Sequence, residues 1–301
     1  MPILGTIASS FDNTPAARGL FGGGADSNAS NVIDYITIAT TGNAIDFGDL
    51  SVARKEPGGC ASSTRGLFGG GKDNSNVIDY VTILTTGNAI DFGDLTVGRD
   101  GPGALSSSTR GVWAGGYTGA DSNVIDYVTI ASTGNATDFG DLIRASFLKG
   151  GCSSSTRGLF GGGAYNGGSN VTTEIDYITI ATTGNGTDFG DLTVARAVAG
   201  SLSSSTRGVW AGGYAGGNTN VIDYVTIAST GNATDFGDLT VAGYGSAGAS
   251  DSTRGVFAGR FSALDFMDYI TIATTGNATD FGDQSVARNN LAGLSNAHGG
   301  L

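Results

Sequence analysis

The sequence predicts an all-β fold: a six-bladed β-propeller of four-stranded antiparallel blades, closed by the C-terminal strand pairing into the first blade. Three observations carry that expectation. The tetrad Asp-Phe-Gly-Asp begins at Asp46, Asp91, Asp138, Asp188, Asp235 and Asp280, at spacings of 45, 47, 50, 47 and 45 residues. Each unit holds four short strand-like runs divided by Gly, Asn and Asp turn signals, and none shows a sustained helical period. The run 32–38 is apolar on both faces, with Val32, Ile36 and Ile38 on one side and Ile33 and Tyr35 on the other. A sheet of such strands must be covered on both sides. Radial stacking of four-stranded units about 45 residues long meets that demand. A β-solenoid is the rival, but its coils are shorter and need no hairpin turns.

Within a unit the elements follow in a fixed order. "RGLFGGG" is a short apolar strand ended by glycines, and "NVIDYITIA" is a strand rich in β-branched and aromatic residues. The turn "TGN" leads to a third strand, "ATDFGDL". "GGCASST", "GALSSS", "GGCSSS" and "GSLSSS" make a fourth strand of small residues, suited to the crowded axis of a ring. From the Asp of "DY" to the Asp of "DFGD" is always 12 residues, whereas the piece from the turn Arg to "DY" ranges from 14 to 19. All insertions therefore fall in one connection per unit.

The ends predict closure. The chain starts its first unit at "AARGLFGGG", without an innermost strand, and ends in "VARNNLAGLSNAHGGL", which aligns with "VARKEPGGCASSTRGL". The tail is expected to supply the missing strand and so remove two sheet edges. Residues 13–301 form the propeller in this reading, and residues 1–12 an N-terminal arm.

Composition narrows the function. Gly is 53 of 301 residues without a Gly-X-Y period, so collagen is excluded. The net charge of −12 comes from the three Asp in every unit, against one turn Arg. A scaffold acidic throughout disfavours nucleic acid, whose binding needs clustered Lys and Arg. No apolar run is long enough for a membrane-spanning helix, and "MPILGTIASSF" does not read as a secretory signal. Cys60 and Cys152 hold equivalent positions in non-adjacent units. They are expected to lie beyond disulfide reach, as small buried hydrophobes.

Catalytic readings are weak. "DFGD" contains the tripeptide of kinases, but six copies without the accompanying Lys and "HRD" signatures carry no such activity. No helix follows "GLFGGG" to bind a phosphate. The single His, His298, aligns with the Thr of "STR" and is expected to be structural. No catalytic residue and no metal ligand is assigned. "GADSNASN", "KDNSN" and "GADSN" offer oxygens to calcium, but turn chemistry accounts for the same residues. No cofactor is expected, and calcium stands as the minor alternative.

Two groups of residues stand out. Asp34, Asp79, Asp126, Asp176, Asp223 and Asp268 interrupt apolar strands and need partners. Arg18, Arg65, Arg110, Arg157, Arg207 and Arg254 are the expected ones, in an Arg–Asp pair that recurs within or between blades. The variable connections are the expected ligand site, with Tyr117, Tyr165, Asn166, Tyr214, Asn218 and Phe261 as candidates. Tyrosine, Asn and Gly together suit a glycan or a protein surface.

"STRGLFGGG" followed by "NVIDYVTILTTGNAIDFGDLTVGR" resembles a kelch repeat, and the likeness runs over residues 14–298. Phe stands here where that family usually carries Trp. The wording is also similar to tandem-repeat proteins of marine tailed phages, often labelled structural or fibre-associated. That resemblance implies a non-enzymatic virion module, on a tail fibre or the capsid surface, which binds a host surface glycan or a neighbouring virion protein and which can form a homo-oligomer. The alternative is a kelch-like protein–protein scaffold of cellular origin, cytoplasmic or extracellular.

Overall fold

The computed structural model describes residues 15–261 and 264–301 of the chain; the expected arm at residues 1–12 lies outside them. Six four-stranded antiparallel sheets form a closed ring, and among the described residues there is no helix. In blade 2 the order from the axis outward is Gly58–Ala61, Arg65–Gly69, Val77–Thr82 and Ile90–Asp94. Blade 1 takes its innermost strand, Ala292–Ser295, from the other end of the chain. Phe21 of strand Arg18–Gly22 lies opposite Gly293, and Leu20 opposite Leu294. The closure expected from the termini is therefore the one observed.

Packing explains the repeated words. The six innermost strands adjoin one another around the axis. A Cβ on Gly151 would lie 2.0 Å from the Ala104 carbonyl oxygen, and one on Gly248 would lie 2.2 Å from that of Ser201. Only glycine allows that approach. Between blades the double-sided strands bury their apolar faces. Leu20, Ile33 and Phe47 of blade 1 pack with Phe68, Val81 and Ile83 of blade 2, all nearly free of solvent contact.

The "DFGD" tetrad is a β-bulge. Ile33 pairs with Gly48 and Asp34 with Asp46, so Phe47 is the extra residue on the outer strand. The same shift recurs in all six blades. A bulge re-aims the side chain it carries. Phe47 is buried, with its ring edge-on to Tyr35 at 6.0 Å. Gly48 has φ of 143°, and a Cβ there would meet the Gly87 carbonyl oxygen at 2.5 Å. Gly87 belongs to the "TGN" turn of the next blade, whose Asn88 Oδ1 accepts from the Asp49 amide at 3.1 Å. The tetrad is thus a dock for the neighbouring blade's turn.

Candidate functional site

The variable connections gather on one face, as expected. There each blade's loop pairs by backbone with the link that enters that blade: Tyr117 with Asp100, Ala164 with Phe147, and Tyr214 with Ala197. Phe261 donates its amide to the Tyr244 carbonyl at 2.7 Å in the same way.

Inside these pairs lies a feature that sequence reasoning missed. Glu56, Gly101, Leu148, Val198, Gly245 and Asn290, one per blade, all have positive φ. Each donates its amide to the carbonyl of the preceding one, from Gly101 to Glu56 at 3.2 Å round to Glu56 itself, which donates to Asn290 at 2.7 Å. Six backbone hydrogen bonds thus close a hexagon over the axis. The six residues share no chemistry, so no side-chain pattern announced them.

Around the hexagon the face is unequal. Aromatic rings occupy the sectors of blades 3 to 6. Tyr117 lies against Phe147 at 5.5 Å, and the Arg144 guanidinium covers the Tyr165 ring at 4.8 Å. Tyr244 stacks on Phe261 at 4.6 Å with 14° between planes, while Tyr214 meets Tyr244 edge-on at 5.7 Å. Tyr214 and Phe261 are 44% and 45% exposed, so this trio is an open aromatic surface. Asn218 is exposed and bridges back to Tyr214. Asn166 is exposed at the tip of the longest loop, where Ala164–Tyr165 pairs with Asn170–Val171 and Asn166 Nδ2 donates to Asn170 Oδ1 at 2.9 Å. Toward blade 2 the surface is charged instead, with Lys72 Nζ 3.3 Å from Asp100 Oδ2. The structure therefore joins Tyr214 and Phe261 through Tyr244, and sets Tyr117 and Tyr165 apart from them. Tyr244 and Phe147 escaped notice because they sit in the links rather than the loops.

Two of the loop aspartates considered for calcium accept backbone amides: Asp26 Oδ1 from Asn28 at 3.0 Å within its own turn, and Asp121 Oδ1 from Gly167 at 3.3 Å in the next blade's loop. Among the described residues no three acidic, His or Cys side chains converge.

The "DY" aspartates are buried as expected, but their partners differ from the expected ones. Asp79 pairs with Arg54 at 2.8 Å, Asp223 with Arg196 at 2.7 Å and Asp34 with Arg288 at 2.7 Å. Asp126 pairs with Arg99 and Asp268 with Arg260. These arginines are themselves without solvent contact, except for about 2% at Arg54. Arg18, Arg65, Arg110, Arg157, Arg207 and Arg254 instead lie over the Tyr rings of their own blades, at 4.4–4.9 Å. Each also donates to a backbone carbonyl of the next blade, as Arg157 does to Ile227 at 2.9 Å. The reason is reach. The turn Arg65 begins its strand, opposite Thr82 and three pairs away from Asp79, while Arg54 in the link reaches the Phe68 carbonyl and Asp79 directly.

A hydroxyl from the preceding blade completes most of these sites. Ser51 Oγ donates to Asp79 at 2.6 Å and Thr240 Oγ1 to Asp268 at 2.7 Å, and Thr96, Thr193 and Ser285 do the same for Asp126, Asp223 and Asp34. In blade 4 both parts are changed. Ile143 replaces the hydroxyl residue, and the cation facing Asp176 is Lys149, at 3.4 Å.

At the opposite end of the axis the tail turns inward. His298 Nδ1 accepts from the Gly300 amide at 3.0 Å, while Nε2 lies 3.0 Å from the Ala61 carbonyl and 3.1 Å from Ser106 Oγ. The Gly299 amide donates to the Ser203 carbonyl at 3.0 Å. His298 is therefore structural, but as part of a plug across the channel rather than of the sealing strand. Between plug and hexagon lies a cavity of ≈ 130 Å³, lined by the small residues of the inner strands. Cys60 and Cys152 are free and buried, and burial pushes the Cys152 thiol up to about 12.

Fold and face together define a closed six-bladed β-propeller with an asymmetric, partly aromatic loop face. No protein-family model matches the chain, and no curated protein is detectably similar to it.

Proposed function

We propose that this protein is a non-enzymatic adhesion module of a virus particle, which holds a host surface glycan on its loop face. The observation that carries the reading is the trio Tyr214, Tyr244 and Phe261, open on a face whose frame is otherwise repeated six times. Rigid scaffolds commonly carry function on such loops. Aromatic faces with a polar handle suit the mixed surface of a sugar ring, and neighbouring Asn and Gly supply adaptable hydrogen bonds. Placement on a virion rests on the likeness in wording to phage tandem-repeat proteins.

A glycan array probed with the purified chain tests the reading. Binding that Tyr214→Ala and Phe261→Ala abolish, with the melting temperature kept, supports it. A chain that binds no glycan but captures a capsid or tail protein of the same virus stoichiometrically overturns it in favour of a structural role.

A further inference from the structure

Blade 4 departs from the other five at its buried carboxylate. Elsewhere the aspartate meets a guanidinium and the hydroxyl of a Ser or Thr. Asp176 meets a primary amine, and Ile143 stands where the hydroxyl would be. Lys149 is 0% and Asp176 1% exposed at the side chain. Lys149 Nζ and Asp176 Oδ2 lie 3.4 Å apart, but neither makes a well-aligned hydrogen bond. The Lys149 stem packs against the Gly163 backbone, where an added Cβ would lie 2.8 Å from Lys149 Cγ.

We propose that Lys149 and Asp176 become joined by a side-chain amide, a cross-link that the folded chain makes by itself. Two buried charges so poorly aligned for hydrogen bonding are costly to keep. Moving one proton from ammonium to carboxylate leaves both groups neutral, and burial pushes the Asp176 carboxyl up and the Lys149 amine down, in the direction this transfer needs. A neutral lysine amine is a nucleophile, and contact within a rigid fold replaces a bimolecular encounter. The Nζ lone pair attacks Asp176 Cγ, so that the N–C bond forms. The bond from Cγ to the protonated oxygen breaks, and that hydroxyl leaves as water with one amine proton. The amide keeps the other N–H, and no oxidant or cofactor is consumed. The guanidinium groups of the other blades are not free amines, so the reaction is confined to blade 4.

Mass spectrometry of the denatured wild-type chain decides it. The expected chain is one water lighter than its sequence, resists trypsin after Lys149, and yields a branched peptide joining Lys149 to Asp176. Lys149→Arg restores the cation of the other blades and should show the full sequence mass. A wild-type chain of full mass, cleaved normally after Lys149, overturns the proposal.

Discussion

Arg260 packs over Gly243, with Arg260 Cβ 3.1 Å from where a Cβ of Gly243 would stand. One blade earlier the roles are exchanged. Arg196 comes from the link, and its Cδ lies 3.3 Å from a Cβ position on Gly213 in the loop. Both arginines reach the equivalent buried aspartate, Asp223 or Asp268. The chain thus supplies the cation from either side of the gap, and the facing residue is glycine in each case.

That exchange predicts a rescue. Arg260→Gly leaves Asp268 buried and unpaired, which should cost about 3–5 kcal/mol. Adding Gly243→Arg rebuilds the arrangement of the fifth blade and should restore most of the loss. Urea denaturation of the single and double variants measures both steps.

The turn arginines should matter less. Arg157 stacks on Tyr177 at 4.7 Å and donates one hydrogen bond to Ile227. Loss of a partly solvated cation–π contact costs about 0.5–1 kcal/mol, and loss of one hydrogen bond about 0.5–1.5 kcal/mol. Arg157→Ala should therefore fall well short of Arg99→Ala, which strips Asp126 of its buried partner. Equal losses in thermal unfolding would contradict this ordering.

Glycines of similar backbone but different surroundings offer a third test. Gly93 has φ of 146° and Gly134 has φ of 154°. A Cβ on Gly93 would strike the Gly134 carbonyl oxygen at 2.5 Å, whereas one on Gly134 meets nothing within 4 Å. Gly134→Ala should carry backbone strain alone, of order 1–3 kcal/mol. Gly93→Ala should exceed it because the neighbouring turn must also move. The difference between the two melting temperatures reads the contact.

The channel plug should respond to acid. His298 Nδ1 accepts an amide proton, so only the neutral ring fits. Burial lowers its pKa in the fold, while the unfolded chain protonates near about 6.5. Above that pH the full stability is present. As the pH falls from there toward the folded value, the unfolded state takes up a proton that the native state refuses, and stability declines. His298→Gln should flatten the pH dependence of the melting temperature between about pH 7 and 5.

The fold was legible because each level of the sequence agreed with the next: the spacing of the tetrads, the double-sided strand and the complementary ends. The ion pairs were legible only in part. A buried Asp between Ile and Tyr demands a cation, but turn and link arginines recur at fixed offsets alike, and spacing cannot say which side chain reaches inward. Ser146 and Gly243 stand where the link arginine would be in two units, which hid its recurrence. The aromatic trio spans two blades, and its middle member, Tyr244, is adjacent to neither Tyr214 nor Phe261 along the chain. Such a cluster exists only once the ring has closed.

The amide hexagon at the mouth has an evolutionary consequence. Unequal exchange between such similar coding segments would produce chains of five or seven units. A cycle in which every donor is also the next acceptor cannot gain or lose a member without being remade at a new diameter. Closure itself therefore constrains the number of repeated segments, and leaves the peripheral loops free to vary in length and side chain.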